Sequence, residues 1–363
     1  MTKILYLSGS QIPSKSANSV HVMKMCQALA NEGCTVKLTG MGTSKEDLYK
    51  FYDVAAKFKT AVSSPQRNNI LRFFAYNWLC FKEIAQSRNT VVYLRYFYPL
   101  LWCIIFRKKV IVEFHGISHN RFIKWLINIL LRSEKLVTAV FITEKLLLEY
   151  QKMFKLEQER CLILSDCADK VDVPENGTNR KNIGYVGHLY GGRGIEIIIE
   201  VAVLLQNYTF HIIGGHPGDV EKYRAISPTN IKYYGFKTQA ELKEVYKHFS
   251  IALAPYQEKV SIEKKGADNA RWMSPMKIFE YMANKKVIIM SDLPALREIG
   301  LHTKDFLMVD AKDSSQWKKA IETLNNDSDL FDDIREHSYK TFLAKYTWSS
   351  RAKRITDAIS LKK

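Results

Sequence analysis

Short apolar runs alternate with helical segments along the whole chain, and this order starts twice. Residues 3–7, KILYL, precede a Ser-rich loop, a segment over residues 20–29 with apolar side chains at helical spacing, and a second apolar run from Thr35. Residues 183–186, IGYV, open the same order again and lead to a helical segment from Ile195. One core rarely grows beyond about 250–300 residues. The 363 residues are therefore predicted to form an α/β protein with two Rossmann-like, doubly wound parallel-sheet domains facing a cleft.

A polar stretch over residues 169–182, DKVDVPENGTNRKN, separates the two series. It holds Pro174 and Gly177, and this mixture of Pro, Gly and charged residues is typical of a linker. From Ser314 onward the sequence is helical. The last helical segment has its apolar positions at Trp348, Ala352, Ile355 and Ile359.

The positive charge of the chain is concentrated in its first half. Of the net charge of +17, residues 1–165 contribute +13. Three stretches there mix Trp and Phe with Lys and Arg, namely residues 71–82, 98–109 and 121–132. This composition is typical of a helix lying on an anionic membrane surface, although a buried helix or strand would look similar, and the middle stretch fits a core equally well. In the third, Lys124 and Trp125 have no acid near them before Glu134. Nucleic acid is not an expected partner, because no zinc module or RNA-binding motif is present.

No apolar run reaches the roughly eighteen residues that a membrane-spanning helix needs, and Met1 leads directly into the first strand without a leader sequence. We therefore expect a cytoplasmic protein, peripheral at the inner face of the plasma membrane through its basic aromatic stretches. The six cysteines show no C-x-x-C spacing and are expected to be buried thiols. No metal is expected.

The loop after the first strand lacks the G-x-G-x-x-G pattern of a dinucleotide site, so no dinucleotide cofactor is expected. Its small polar residues are expected to line a cleft, because ligands collect at the carboxyl ends of parallel strands. The candidates are Ser16, Asn18 and Ser19, and Ser19 is also predicted to cap the first helix.

The turn GHLYGGRGIE, over residues 187–196, has the composition of an anion site. Its glycines let backbone N–H groups approach an anion, and the N-terminus of the following helix adds partial positive charge. Arg193 adds a cation whose forked donors suit phosphate. A purely structural turn would also use glycines here. The candidate residues are Gly187, His188, Arg193 and Gly194.

The segment SPMKIFEYM, over residues 274–282, is a second charged helix start. Ser274 is predicted to cap the helix and Pro275 to occupy its first position. Lys277 and Glu280 are three residues apart and so share one side of the helix. A cation near a helix N-terminus costs about 0.3–1 kcal/mol unless an anion binds there. An ion pair on a solvated face is the alternative interpretation.

These two segments resemble the C-terminal half of glycosyltransferase family 4, the retaining enzymes of the GT-B fold. The family carries a glycine turn of the form G-R-L-x-x-x-K-G and, further along, a helical Glu followed by A-x-x-x-P-V-I-x-S-D-x-x-x-x-x-E. The counterparts in this chain are Gly187, His188, Leu189, Arg193, Gly194, Glu280, Val287, Ile288, Ser291, Asp292 and Glu298. The resemblance extends along nearly the whole chain and is strongest over residues 183–300.

The resemblance implies a division of roles between the two domains. Residues 1–170, joined by a C-terminal helix within residues 344–363 that crosses back to the first domain, would bind the acceptor. Residues 171–343 would bind the nucleotide-sugar donor. At the domain level, this arrangement predicts a GT-B fold with the reaction between the two domains.

The resemblance also implies roles for single residues. Arg193 and Lys277 would hold the diphosphate, and Glu280 the ribose hydroxyls. The backbone of Met273, Ser274, Pro275 and Met276 would meet the donor sugar. His115, in the segment EFHG, would contact the sugar; Glu113 is the nearest alternative polar group, and a purely structural histidine is the other interpretation. His115, Arg193 and Lys277 are the catalytic candidates.

Three positions depart from the family pattern. Trp272 stands where the family has a glutamate that contacts the donor sugar, and His188 stands where it has an arginine. A neutral histidine would weaken the phosphate clamp unless its pKa rises. Lys286 replaces a proline, and we expect little effect from that change.

The activity implied is transfer of a hexosyl group, with retention, from a UDP- or GDP-linked sugar to a glycan acceptor. The basic first domain fits a lipid-linked acceptor, as in the assembly of bacterial O-antigen, lipopolysaccharide or capsule. No metal or cofactor would be needed, and the D-x-D segment at residues 327–329 is interpreted as a solvated loop. The alternatives are a sugar-nucleotide epimerase of the same architecture and a non-catalytic scaffold that binds nucleotide sugars.

Overall fold

The computed structural model describes residues 1–42, 47–55, 57–63, 68–172, 179–260 and 270–362. The chain divides into two compact units. One comprises Met1–Ser165 together with Trp348–Lys363, and the other comprises Asp166–Thr347. The expected linker residues Pro174 and Gly177 lie outside the described residues.

The first unit is built on a parallel β-sheet. Its strands are β1 (Lys3–Ile12), β2 (Thr35–Gly42), β3 (Lys59–Ser63), β4 (Thr90–Leu94), β5 (Lys109–Phe114), β6 (Leu136–Phe141) and β7 (Cys161–Ile163). They lie in the order β3-β2-β1-β4-β5-β6-β7. The helices are α1 (Ala17–Asn31), α2 (Leu48–Phe51), α3 (Asn69–Gln86), α4 (Leu100–Ile105), α5 (Arg121–Leu131) and α6 (Glu144–Met153), with a 3₁₀ helix at Gln158–Arg160.

The second unit holds a second parallel sheet. Its strands are β8 (Asn182–Val186), β9 (Thr209–Ile213), β10 (Ile231–Gly235), β11 (Ile251–Ala254), β12 (Val287–Ser291) and β13 (Leu307–Val309). Their order is β10-β9-β8-β11-β12-β13. The helices are α7 (Ile195–Leu204), α8 (Pro217–Arg224), α9 (Gln239–Val245), α10 (Met276–Ala283), α11 (Ser314–Asn326) and α12 (Ser328–Lys345), with a 3₁₀ helix at Tyr246–His248.

The last helix, α13 (Trp348–Ser360), belongs to the first unit and packs on α1. The indole of Trp348 meets the ring of His21 edge-on, with 4.9 Å between ring centroids. The apolar positions read from the sequence form its buried side, together with Arg351. The chain thus returns to its first domain, as predicted.

The interior strands of both sheets are largely buried on both faces, which explains why they read as continuous apolar runs, whereas the edge strands β3 and β10 are partly exposed. Every residue of β6 and of β12 is buried. Among the described elements, α2, β3 and α8 are examples that were not predicted. They are short or mostly polar, so they lack the apolar periodicity on which such predictions depend.

The first helix begins earlier than predicted. It starts at Ala17, and the side chain of Ser16 caps it by accepting a hydrogen bond from the backbone N–H of Ser19. The prediction that Ser19 is the cap was wrong. The buried Ser19 hydroxyl donates instead to the carbonyls of Ser14 and Ser16.

In each sheet the strand order reverses once, between β1 and β4 in the first unit and between β8 and β11 in the second. Ligands of open parallel sheets bind outside the carboxyl ends of the strands at this reversal. In the described part of the chain, no helix combines the length and the apolar character needed to cross a bilayer.

Candidate functional site

The glycine turn over residues 187–194 lies at the reversal point of the second sheet, because β8 ends at Val186. Gly194 has a φ of 75° and forms the N-cap of α7 without a side-chain hydrogen bond. A Cβ added there would lie 1.9 Å from the carbonyl oxygen of Pro255. Only glycine fits, and the N-terminus of α7 is left uncovered by any cap side chain.

Gly187 brings the turn against Lys277. Its φ is 152°, and an added Cβ would lie 2.9 Å from Lys277 Nζ. The missing side chain at Gly187 therefore makes room for the lysine ammonium beside the turn. The glycine turn and the start of α10 therefore lie side by side in the second unit.

Lys277 is a buried cation without a hydrogen-bond acceptor among the described residues. Its Nζ lies 3.8 Å from the ring centroid of Tyr185 and 4.9 Å from that of Tyr256. Burial and the neighbouring Arg193 hold the pKa of Lys277 well below its usual range, against the opposing effect of Glu280. The alternative of an ion pair on a solvated face is wrong, because Lys277 is only 9% exposed.

Arg193 shares an aromatic neighbour with Lys277. Its guanidinium carbon lies 5.4 Å from the ring centroid of Tyr256. Two cations therefore flank one tyrosine ring beside a glycine turn and an uncovered helix N-terminus. That arrangement can bind a phosphate group with charge and with directed N–H donors.

Glu280 lies on the same helix as Lys277, and its Oε2 accepts a hydrogen bond from the Tyr246 hydroxyl at 3.0 Å. Tyr246 is buried, whereas Glu280 is partly exposed. The tyrosine therefore holds the carboxylate in place while part of it stays accessible.

The start of α10 differs from the prediction. The helix begins at Met276, and Pro275 is its N-cap rather than its first residue. Ser274 does not cap the helix; its Oγ accepts a hydrogen bond from the backbone N–H of Asp166 at 2.8 Å. Since Met273, Ser274 and Met276 are buried, their backbone groups are what this segment can offer a ligand.

His188 lies flat against Tyr190, with ring centroids 4.8 Å apart and planes inclined by 3°. Burial, Arg193 and Lys277 all lower its pKa. His188 therefore carries no positive charge at neutral pH, and the charge of the site comes from Arg193 and Lys277.

In the first unit, His115 follows β5 and contacts the fully buried carboxylate of Glu113. His115 Nε2 lies 2.5 Å from Glu113 Oε1. Arg95, at the end of β4, and Arg351, on α13, both form ion pairs with the same carboxylate. His115 itself is 31% exposed.

The cleft-loop candidates have mainly local partners. Ser16 caps α1, and Ser19 is buried within the first turn. Asn18 is exposed, and its Nδ2 donates to Ser10 Oγ at 2.7 Å. Ser19 is thus a structural residue rather than a cleft-lining one.

One group of side chains has the spacing of a metal site. Ligand atoms of His21, Glu113 and His115 lie within 4.8 Å of one another. Two guanidinium groups already balance the charge of Glu113, which opposes a further cation. The D-x-D segment is a helix start, because Asp327 caps α12 by accepting from the backbone N–H of Leu330.

The chain is similar to a protein family over part of its length and to solved structures over nearly all of it. Residues 180–327 match the family model described as Glycosyl transferases group 1. The match covers most of the second unit, which is Asp166–Thr347. Among curated proteins, none matches the chain.

Solved structures match over the full length. A glycosyltransferase from Rickettsia africae has a TM-score of 0.75 at 13% identity, covering 99% of this chain and 98% of that chain. HepE of Anabaena, in complex with UDP and glucose, has a TM-score of 0.73 at 14% identity over 99% and 100%. The lipopolysaccharide outer core galactosyltransferase WaaB has a TM-score of 0.68 at 14% identity over 100% of both chains. These matches confirm the predicted GT-B fold.

Several residues that lie around Lys277, Glu280 and Glu113 were not identified from the sequence. Tyr185 and Tyr256 follow ordinary strand patterns, and Tyr246 follows an ordinary helix pattern. Arg95 and Arg351 belong to no motif that singles them out. Only Tyr185 had a local signal, since it lies two residues before the glycine turn.

Proposed function

We propose that this chain is a glycosyltransferase that transfers a hexosyl group, with retention, from a nucleoside-diphosphate sugar to a lipid-linked glycan. The observation that carries the proposal is the buried ammonium of Lys277. A buried charge without a hydrogen-bond acceptor is costly. An anionic ligand placed between Lys277 and Arg193 would remove that cost, and a diphosphate has the charge and the oxygen atoms to do so.

The groups around the proposed diphosphate position indicate how the rest of the donor would be bound. The uncovered N-terminus of α7 favours negative charge on the diphosphate. Glu280, held by Tyr246, can accept hydrogen bonds from the two ribose hydroxyls. The UDP bound in the HepE structure supports a uracil nucleotide as the first ligand to test, with GDP as the alternative.

The chemistry we propose relies on stabilising the departing diphosphate. Glu113, beside His115, already forms an ion pair with Arg351, and Glu280, on the same helix as Lys277, already accepts a hydrogen bond from Tyr246. Neither is placed as a free nucleophile for a covalent glycosyl-enzyme. A front-face reaction, in which the leaving phosphate accepts the acceptor proton, would give retention without such a nucleophile.

The experiment that tests the donor site is a calorimetric titration with UDP, GDP and their common sugar conjugates. Wild type is expected to bind one nucleotide class at micromolar concentration, and Glu280→Ala to lose that binding. Glu200→Ala, which removes an exposed carboxylate from the middle of α7, is the matched control and should bind like wild type. If no nucleotide binds the wild type, the proposal fails.

Product analysis separates the proposed transferase from its two alternatives. An epimerase would convert the donor sugar with no acceptor present. A scaffold would bind the donor without turnover under any acceptor. A transferase releases nucleoside diphosphate and forms a glycoside, and its product keeps the anomeric configuration of the donor.

We assign the acceptor to a membrane surface because of an exposed aromatic face on α3, α4 and α5. The face comprises Ile70, Leu71, Phe74, Trp78, Ile105, Phe106, Phe122 and Trp125, all strongly exposed. Phe81 of α3 connects two of these helices, because its ring contacts that of Trp102 on α4. Exposed aromatic residues on neighbouring helices are typical of proteins that lie at a bilayer interface.

The excess of Lys and Arg in this region favours an anionic bilayer as the partner of the aromatic face. Residues 68–135 contain eleven Lys and Arg against three acids. Of the acids, Glu113 is fully buried and Glu83 pairs with Lys37. The aromatic face therefore combines insertion into lipid with attraction to anionic headgroups. Such binding would place the chain at the inner face of the plasma membrane, in surface polysaccharide assembly.

Vesicle sedimentation tests the membrane proposal. The variant Lys124→Glu/Trp125→Ser should bind vesicles of phosphatidylglycerol and phosphatidylcholine more weakly than wild type, while donor hydrolysis is retained. Ile226→Ser, which removes an equally exposed apolar side chain from the second unit, is the control. Unchanged binding of the double variant would contradict this part of the proposal.

A further inference from the structure

A row of aromatic rings in the first unit leads from the surface of α3 to the segment that follows β4. The ring centroid of Phe74 lies 5.5 Å from that of Phe73, and the centroid of Phe73 lies 4.9 Å from that of Tyr98. The ring of Tyr98 is 5.3 Å from that of Tyr96, which is 5.4 Å from that of Tyr76. These five residues are the aromatic row. All of them belong to the first unit, so the row is one continuous feature of a single compact body.

The inner end of the aromatic row lies at the strand reversal of the first sheet. The pairing of β1 with β4 ends where Leu7 faces Leu94, and Tyr96 comes two residues after Leu94. The Tyr76 hydroxyl donates a hydrogen bond to the carbonyl of Ser8 at 2.7 Å, just beyond the same pairing. Ligands of open parallel sheets bind at this reversal. The aromatic row therefore starts where a ligand of the first unit is expected.

Gly9 shows that the ring of Tyr96 is fitted closely to the end of β1. A Cβ added at Gly9 would lie 2.6 Å from Cδ2 of Tyr96 and 3.0 Å from its Cγ. The ring lies against the backbone of β1 because residue 9 has no side chain. Tyr96 is partly buried, whereas Tyr98 is 38% exposed. The aromatic row is therefore fixed at Tyr96 and open to a ligand at Tyr98.

The outer end of the aromatic row joins the aromatic face of α3, α4 and α5. Phe74 is 62% exposed and belongs to that face. The side chains of Phe74 and Phe73 have no polar atoms, whereas those of Tyr98 and Tyr96 carry hydroxyl groups. Polarity thus rises along the row from the aromatic face to the strand reversal. A lipid-linked sugar has the same order, with a hydrocarbon chain at one end and hydroxyl groups at the other.

We propose that the aromatic row binds a lipid-linked sugar, with the hydrocarbon chain along Phe74 and Phe73 and the sugar on Tyr98 and Tyr96. One face of a sugar ring consists of C–H groups that stack on an aromatic ring, and its hydroxyl groups can bond a tyrosine hydroxyl. The inference rests on the proposed function, in which the acceptor is a lipid-linked glycan. It deepens that function by naming the residues that receive the acceptor, and Tyr98 is the one assigned to sugar recognition.

Photo-crosslinking with two alkyl glucosides distinguishes binding along the row from adventitious contact with an apolar surface. Octyl glucoside that carries a diazirine at the end of its alkyl chain should label the peptide containing Phe73 and Phe74. Octyl glucoside that carries the diazirine on its sugar should label the peptide containing Tyr96 and Tyr98. Both probes are used below the concentration at which micelles form. Equal labelling of both peptides by both probes, or labelling of neither, would overturn the proposal.

Two exposed positions test the two ends of the row separately in calorimetric titrations. Tyr98→Ala should weaken the binding of octyl glucoside about fivefold, the size of one lost aromatic contact. It should leave unchanged the gain in affinity from hexyl to octyl glucoside. Phe74→Ser should reduce that gain, because the longer chain loses its contact. Equal affinities of Tyr98→Ala and wild type, or the same gain in Phe74→Ser and wild type, would contradict the proposal.

Tyr234→Ala is the matched control for Tyr98→Ala. Tyr234 is 37% exposed and lies in the second unit, and its loss should leave octyl glucoside binding unchanged. Nucleotide binding should be the same in Tyr98→Ala as in wild type, which shows that the variant is folded. A fivefold loss in Tyr234→Ala as well would overturn the assignment of Tyr98.

Crosslinking requires neither a donor nor turnover, so the row and the proposed function can fail independently. The expected labelling without any sugar transfer would count against the transferase and not against the row. Sugar transfer to octyl glucoside with the same acceptor KM in Tyr98→Ala and wild type would count against the row and not against the transferase. If both hold, Tyr98→Ala should raise the acceptor KM and leave donor affinity unchanged.

Discussion

The ammonium nitrogen of Lys277 lies 3.8 Å from the ring centroid of Tyr185, which is on β8 just before the glycine turn. A tyrosine face attracts a cation by about 0.5–2 kcal/mol, which offsets only part of the cost of burying it. Since no described residue accepts a hydrogen bond from the lysine, its donors are available to a ligand. This pair of residues is the basis of the first two predictions.

Lys277→Met should weaken nucleotide binding and stabilise the free protein. Loss of a hydrogen bond to a charged group costs about 1.5–3 kcal/mol, which corresponds to roughly 10- to 150-fold in affinity. Removing a buried ammonium without an acceptor should raise the urea midpoint at neutral pH. Lys286→Met is the matched control, because Lys286 is another buried lysine of the same unit with a pKa lowered to about 8. It should keep wild-type affinity, and a loss of the same size there would contradict the prediction.

As the pH rises, nucleotide affinity should begin to fall at a lower pH than it would for a lysine with an ordinary pKa. The pKa of Lys277 in the free protein is well below 10.5 because of burial and Arg193, and a bound diphosphate raises it. Below the free-protein pKa the group is charged in both states and adds no pH dependence. Above it, binding takes up a proton, and affinity falls by at most about tenfold per pH unit. Titrations in buffers of different ionisation enthalpy measure the uptake, and Lys277→Met should lack it.

Gly194→Ala should damage both the stability of the second domain and nucleotide binding. The new Cβ would lie 1.9 Å from the Pro255 carbonyl oxygen, at a φ of 75°. Backbone strain of this kind costs about 1–3 kcal/mol, and the clash adds to it. Gly191→Ala is the control, since nothing lies within 4 Å of its Cβ. Thermal unfolding with and without nucleotide compares them, and equal midpoints for the two variants would contradict the argument.

Acid should destabilise the wild type more than Glu113→Gln. The folded-state pKa of Glu113 is held well below its ordinary value of 4.5 despite burial. Its ion pairs therefore stabilise the fold fully above that value, and the stabilisation is lost as pH falls toward the folded-state pKa. Urea unfolding at several pH values between about 5 and 3 should give a steeper fall for wild type. Parallel curves would contradict the prediction.

The regular elements were the most predictable part of the molecule. Strands such as β6 and β12 are apolar throughout because both faces of a parallel sheet are covered, and this pattern survives in the sequence. The short α2 and the polar α8 have no such pattern. Helix starts were predicted less well, since Ser16 and Ser19 are both good caps by composition, and the packing of the first turn selects between them.

The site was predictable as a set of segments and not as a set of contacts. The glycine turn and the Lys277–Glu280 pair could be found locally, because their spacing and residue types already suit an anion and a diol. That Lys277 is buried under Tyr185 and Tyr256 depends on the order of β8 and β11 in the sheet. Sequence spacing carries no information about which strands become neighbours.

The sequence by itself determined two alternating α/β series, a basic and aromatic first half, and the turn and helix that form the anion site. These follow from local periodicity, charge and the conformational freedom of glycine. Only the tertiary structure decided that Arg351, from the end of the chain, would meet Glu113 beside His115. Burying a charge is favourable only when its partners close around it, and those partners are brought together by the fold rather than by their positions in the sequence.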